Sequence, residues 1–337
     1  MSFKYLFGTL ALSGALLLGG CSSSGERDGA DGGKSGDGKP TIAIMPKLVG
    51  IDYFSAIETG AREAAKDLDV NLVWDGPIEG DASKQIEILD TWIARGVDAI
   101  AVAPNDPEAL APTLDKARKR GVKVLTFDAD ANEASRDYFV NQATAQSIGE
   151  SLVDEMAEQI GGAGEVAIIT GSLTAANQNE WIRFMEARAK DKYPQMTFVA
   201  TKPSEENQQL ATTAAQDLLK AHPNLKGIFG ITSVAFPAAA LAVNQAGKSG
   251  QVAVVGLATP KSMIEHVDNG SVKTVLLWNV VDLGYLTVQV ADQLIKNDKL
   301  GDSIEAGRLG TKQIEGSQVL LGAPMKFNKD NIRDFDF

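Results

Sequence analysis

Lys47 stands directly behind a short apolar run, Thr41–Met45, and the proline that ends it. A buried strand that stops at a proline and delivers one charged side chain can build a site at the carboxyl edge of a parallel sheet. Other chemistry-bearing residues fall at similar positions, just beyond apolar runs. They are Asn105 with Asp106, Asp128 with Asp130 in TFDADA, and Asn177-Gln178-Asn179 in TAANQN. Further along come Thr232 to Pro237 in TSVAFP, Thr259 in LATP, and Trp278-Asn279. Isolated carboxylates, amides, hydroxyls and one lysine suit a small neutral polyol. Aspartate accepts from adjacent hydroxyls, Asn and Gln donate and accept, and lysine donates to oxygens. Phe54 or Trp278 supplies an aromatic face for the apolar C–H side of a sugar ring. Each residue also has a bland reading. Lys47 is then a solvated strand end, the aspartates and asparagines cap turns or helices, and Trp278 is core. Their joint arrival at strand ends along the whole chain favours a site.

The elements that would position these residues alternate from Thr41 onward. Strand-like runs at 41–45, 70–74, 99–103 and 123–127 enclose helical patterns at 55–68, 81–95 and 107–120. In the last, Leu110, Leu114 and Ala117 recur at helical spacing. Glycine follows where helices should stop, as at Gly96 and Gly121. The series then repeats, with helices at 145–160, 180–192, 208–220, 237–246 and 261–269. Strands at 166–170, 197–200, 227–231, 252–257 and 272–277 separate them, and one more helix covers 282–296. Such units imply parallel sheets with helices on both faces. Two successive sets predict an α/β fold of two Rossmann-like lobes joined by a multi-strand hinge. The expected division is 41–141 plus 280–306 for the first lobe and 142–279 plus 307–337 for the second. Crossovers are expected at 138–144, at 278–281 and near 304–309, over a cleft of the kind that binds ligands.

Composition narrows the function. The 337 residues carry a formal net charge of −12, which argues against a nucleic-acid partner. One cysteine excludes an internal disulfide framework, and two histidines leave little for a metal site or a Ser-His-Asp triad. No metal and no cofactor are expected. Nucleophile-elbow, HExxH and dinucleotide signatures are absent from the sequence, so an enzyme acting through Asp128 and Asp130 is the weaker reading.

At the N-terminus an apolar run, 6–18, is shorter than the ~20 residues that span a bilayer. It ends in Leu18-Gly19-Gly20-Cys21, which resembles a bacterial lipoprotein signal and lipobox. Cleavage would leave Cys21 lipidated, with 1–20 removed and 21–40 as a flexible tether poor in burial-capable residues. The GGKS within the tether is no phosphate loop, because Asp28 holds the place of its first glycine.

From Thr41 to Phe337 the chain resembles the type I periplasmic sugar-binding proteins of ABC importers, in the branch of rhamnose-binding and autoinducer-2-binding proteins. The carrying segments are IMPKLVGIDYF, VLTFDADA, NQATAQSIG, NQNEW, FPAAA, GLATP, LLWNVVDLGYL and FNKDNIRDFDF. In the autoinducer-2 binders, ligand contacts fall at positions matching Lys47, Asp128, Asn177, Gln178, Pro237 and Ala239. These types are kept except at Asn177, where that family has aspartate, and Thr232 replaces a nearby acidic residue. NQATA, NQNEW and LWNVVDLGYL look closer to the rhamnose-binding branch.

The resemblance implies an exported monomer, anchored to the membrane through its N-terminal lipid. It would capture a small sugar, rhamnose or a related deoxy sugar, by hinge closure and present it to an ABC permease with its ATPase. Autoinducer-2 is the alternative ligand, and signalling to a membrane receptor the alternative role. The expected ligand-binding set is Lys47, Asp128, Asn177, Gln178, Pro237, Ala239, Phe54, Asp130, Trp278 and Asn279, with Lys47 paired to Asp128 when no ligand is bound.

Overall fold

The computed structural model describes residues 38–337; the expected export signal, Cys21 and most of the expected tether lie outside the described residues. The chain begins β1 (Thr41–Met45), α1 (Asp52–Leu68), β2 (Asn71–Trp74), α2 (Ala82–Arg95), β3 (Ala99–Val102), α3 (Pro107–Lys119), β4 (Lys123–Phe127) and β5 (Tyr138–Asn141). It continues α4 (Ala145–Ile160), β6 (Ala163–Thr170), α5 (Ala176–Lys192), β7 (Gln195–Pro203), α6 (Gln208–Ala221), β8 (Leu225–Gly230), α7 (Ala235–Gln245), β9 (Ala253–Gly256) and α8 (Pro260–Asp268). The remainder is β10 (Val275–Leu277), α9 (Val280–Asn297), β11 (Ser303–Glu305), β12 (Thr311–Glu315), β13 (Gln318–Leu320) and β14 (Met325–Phe327).

Two sheets result. The first runs β11-β12-β13-β5-β4-β3-β1-β2 and the second β7-β6-β8-β9. Strands β1 to β5 and β6 to β9 pair in parallel, as repeated strand–helix units require. In each sheet the strand order reverses at the first strand, β1 or β6. The loops that follow it and its neighbour diverge there and open a crevice at the carboxyl edge. Buried apolar runs such as Ile42 to Met45 and Val166 to Ile169 hold these strands between helix layers.

Helix starts follow sequence. Asp81 and Asp106 accept backbone N–H groups at the starts of α2 and α3, and Pro107 occupies the first turn where its missing donor costs nothing. Helices α1 and α9 pack backbone to backbone. A Cβ on Gly60 would stand 1.8 Å from the Val281 carbonyl oxygen, and one on Gly284 1.9 Å from that of Ile57. Any side chain there would force the helices apart.

The chain passes from the first sheet to the second after β5 and returns between β10 and α9. The third passage falls between β13 and β14, near 321–324, and not at 304–309. Ile304 belongs to β11 on the edge of the first sheet. The tail, expected with the second lobe, therefore divides: β12 and β13 join the first sheet, whereas β14 pairs with β10. A short parallel bridge, Leu257 to Leu276, ties β10 to the end of the second sheet. Single-residue alternation in so short a tail carries no information about which sheet it will edge. Among the described residues no helix is long and apolar enough to cross a membrane.

Candidate functional site

The carboxyl edges of the two sheets face one cavity of about 450 Å³, including its opening to solvent. From the first sheet it is lined by Lys47, Leu48, Ile51, Tyr53, Phe54 and Asp128. From the second come Asn177, Gln178, Trp181, Glu206, Ile231, Thr232, Ser233 and Leu257, with Leu277 at the end of β10 and Trp278 just after it.

Lys47 is set by a frame behind it. The buried Gln85 donates to the Pro46 and Ala103 carbonyls at 3.1 and 2.9 Å and accepts from the Asn105 N–H. Asn105 in turn donates to the Lys47 carbonyl at 2.7 Å, so this predicted strand-end amide holds backbone. The lysine side chain is thereby aimed into the cavity, 7% exposed. Its Nζ donates to Asn177 Oδ1 at 2.9 Å, across from one sheet edge to the other. The expected partner, Asp128, instead accepts from the Tyr53 hydroxyl at 2.6 Å, which itself accepts from Trp278 Nε1 at 3.0 Å.

Asp128 sits in the left-handed region at φ 62°, where Asp is better tolerated than most side chains. This turn swings its carboxylate inward. Its carbonyl accepts from Gln142 at 2.9 Å and from Asn177 at 3.4 Å. Helix α5 begins at Ala176, earlier than the expected 180, so Asn177 and Gln178 are first-turn residues of the helix and not its caps. Gln178 spends its carbonyl on Thr170 Oγ1 and the Gly171 N–H, at 2.5 and 2.7 Å, which leaves its amide donors for the cavity side.

Burial sets the charges. Desolvation pushes the Asp128 and Glu206 carboxyls up from the usual carboxylate range, although Lys47 opposes the shift in both. Desolvation also pulls the Lys47 ammonium down, against the attraction of those two carboxylates. Burial beside Asp128 holds the Tyr53 hydroxyl protonated, well above its ordinary range. The site thus offers an ammonium, two carboxylates, two amides and hydroxyls. Trp278 stands edge-on to both Tyr53 and Trp181, with ring centres 6.1 Å apart in each pair, and forms the apolar wall with Phe54. Donors and acceptors around an aromatic wall fit a polar ligand with an apolar face.

The structure gathers Lys47, Phe54, Asp128, Asn177, Gln178 and Trp278 in this cavity and places the other expected residues elsewhere. Pro237 lines an adjoining groove with Gly50, Asp52, Thr259 and Ser262. Ala239 is fully buried within α7. Asp130 is clamped by Arg136 through two bonds of 2.6 and 2.7 Å and by Thr126, and it borders a different, hinge-side hollow. Asn279 caps α9 by accepting from the Asp282 N–H. Sequence reasoning missed Tyr53, Trp181 and Glu206. Tyr53 lies in the loop before the helix expected from 55, Trp181 reads as a residue of the helix expected over 180–192, and Glu206 lies in PSEEN, between the strand expected to end at 200 and the helix expected from 208. Among the described residues no group of His, Cys, Asp and Glu is placed to hold a metal ion.

An α/β chain whose parallel sheets meet edge to edge around one polar and aromatic cavity has the architecture of a solute-binding protein. Comparison with known proteins gives the family: the periplasmic binding protein domain matches residues 42–299, and the chain belongs to that family. It is a binding protein and not an enzyme. The D-ribose/D-allose-binding protein of Pseudomonas aeruginosa is 33% identical over 232 residues, 65% of this chain and 70% of that protein. Among solved structures, an ABC transporter solute binding protein from Clostridium phytofermentas with bound L-rhamnose aligns with a TM-score of 0.84 and 32% identity, covering 88% of this chain and 98% of that one. LsrB from Clostridium saccharobutylicum, in complex with AI-2, aligns with a TM-score of 0.84 and 25% identity, covering 88% and 100%.

Proposed function

We propose that this protein is the extracytoplasmic solute-binding component of an ABC importer and captures L-rhamnose or a related deoxy sugar in the cavity between its sheets. The observation that carries the reading is the Lys47–Asn177 bond, which joins the two sheet edges around a cavity with polar groups on one side and an aromatic wall on the other. Ring hydroxyls would pair with Lys47, Asp128, Asn177 and Gln178. The methyl group of a deoxy sugar would lie against the apolar lining at Ile231, Leu257 and Leu277. The two lobes would close about the three chain passages, and a permease would read the closed form.

Autoinducer-2 is the second reading, favoured by the equal structural similarity to LsrB. The amide at Asn177, where the autoinducer-2 binders resembled in sequence have a carboxylate, supports the sugar. Anchoring through a lipid on Cys21 belongs to the same proposal; Cys21→Ser should release the protein from membranes. Calorimetric titration with L-rhamnose, D-ribose, D-allose, other hexoses and pentoses, and autoinducer-2 tests the ligand. Saturable binding of L-rhamnose above the rest supports the reading, and no binding to any of them overturns it.

A further inference from the structure

After β7 the chain makes a turn that a loop has no local reason to make. Glu205 and Glu206 are successive non-glycine residues in the left-handed region, at φ 49° and 50°. The surrounding structure holds them there: the Glu205 N–H donates to the Gly171 carbonyl at 2.6 Å, and the buried Ser204 bonds to Thr170 through both its N–H and its hydroxyl. The result is that Glu205 points outward and Glu206 turns into the cavity wall. Room has been left for it, since a Cβ on Gly171 would lie 2.3 Å from Glu206 Oε1. Gln178 and Thr232 are within hydrogen-bonding reach of the carboxylate, and the charges of Lys47 and Asp128 act on it. Its Oε2 is nevertheless buried without a hydrogen-bond partner among the described residues. Glu206 also borders the adjoining groove with Pro237 and so stands between the cavity and that groove.

A buried acceptor left unpaired by the protein, on backbone held in a sparsely populated conformation, is the signature of a group kept for a ligand. We infer that Glu206 is a ligand-recognition residue, a second carboxylate beside Asp128 whose free oxygen accepts a hydrogen bond from one hydroxyl of a neutral polyol. The inference rests on the proposed sugar-binding reading and adds to it. With two carboxylates around one lysine, the site favours a ligand that presents hydroxyl donors in two directions.

The test is a cycle between residue and ligand. The full-length protein, Glu206→Gln and the exposed control Glu205→Gln are titrated with L-rhamnose and its singly deoxygenated analogues, and their melting temperatures are measured. Loss of a hydrogen bond to a charged acceptor should weaken L-rhamnose binding of Glu206→Gln about tenfold to a hundredfold. Glu205→Gln should bind as the unaltered protein does. At one ring position, the penalty for removing the hydroxyl should be large in the unaltered protein and nearly vanish in Glu206→Gln. If Glu206→Gln binds L-rhamnose with unaltered affinity, or binds it more weakly with every deoxygenation penalty unchanged, the inference is overturned while the sugar-binding reading stands. If the unaltered protein binds neither L-rhamnose nor any of the other sugars titrated, both fall together.

Discussion

Replacing Lys47 by methionine keeps a long, flexible side chain in the same frame of Gln85 and Asn105 but removes the only ammonium that lines the cavity among the described residues. The lost group makes the 2.9 Å bond to Asn177 and faces the buried charges of Asp128 and Glu206. A hydrogen bond from a charged donor contributes about 1.5–3 kcal/mol, so the dissociation constant for the bound sugar should rise about tenfold to 150-fold. Calorimetry at neutral pH reads this directly. A second signature comes from linkage. Asp128 and Glu206 already bind protons above their ordinary 3.8 and 4.5, so stability falls as pH rises from those values through the raised ones. Without Lys47 to oppose them, both shift further and that fall steepens. Lys47 itself, lowered from 10.5, gives the unaltered protein stability that grows as pH rises from the lowered value towards 10.5, and Lys47→Met should lack that rise. Binding within about threefold of the unaltered protein would refute the assignment of Lys47 as a direct donor.

Asp128→Asn should weaken sugar binding about tenfold to a hundredfold, while its melting temperature at neutral pH stays equal or rises because a desolvated carboxylate has been removed. Asp130→Asn should do the reverse: leave binding intact and destabilise by roughly 2–4 kcal/mol, since Arg136, with a side chain 2% exposed, loses its partner. Circular dichroism melts with a parallel titration separate the two aspartates. Gly284→Ala should lower the melting temperature by roughly 5–10 °C, because the new Cβ meets the Ile57 carbonyl at 1.9 Å and backbone cannot move aside cheaply.

Much of this site was legible where backbone and side chain share one cause. Lys47 and Asp128 follow strands whose apolar runs announce them, and a residue just past a parallel strand can only emerge at the carboxyl edge. Asp130 and Asn279 have the same address but other employment, and only the positions of Arg136 and the Asp282 N–H reveal it. Ala239 came from family resemblance alone, and Pro237 from that and from the strand-end run 232–237; the structure sets them beneath and beside the cavity. Glu206 was illegible because its direction depends on two left-handed residues held by contacts to β6, which lies far away in sequence. Sheet membership of the tail was hidden for a related reason: pairing of strands three to five residues long is decided by the edges already built.

The central claim is that a sugar lies between the two sheet edges, and a crystal structure of the protein grown with L-rhamnose tests it most directly. The account predicts the ring against Trp278 and Trp181, with hydroxyls on Lys47, Asp128 and Glu206. A sugar bound outside this cavity, or one bound inside it without touching Lys47 and Asp128, would contradict it.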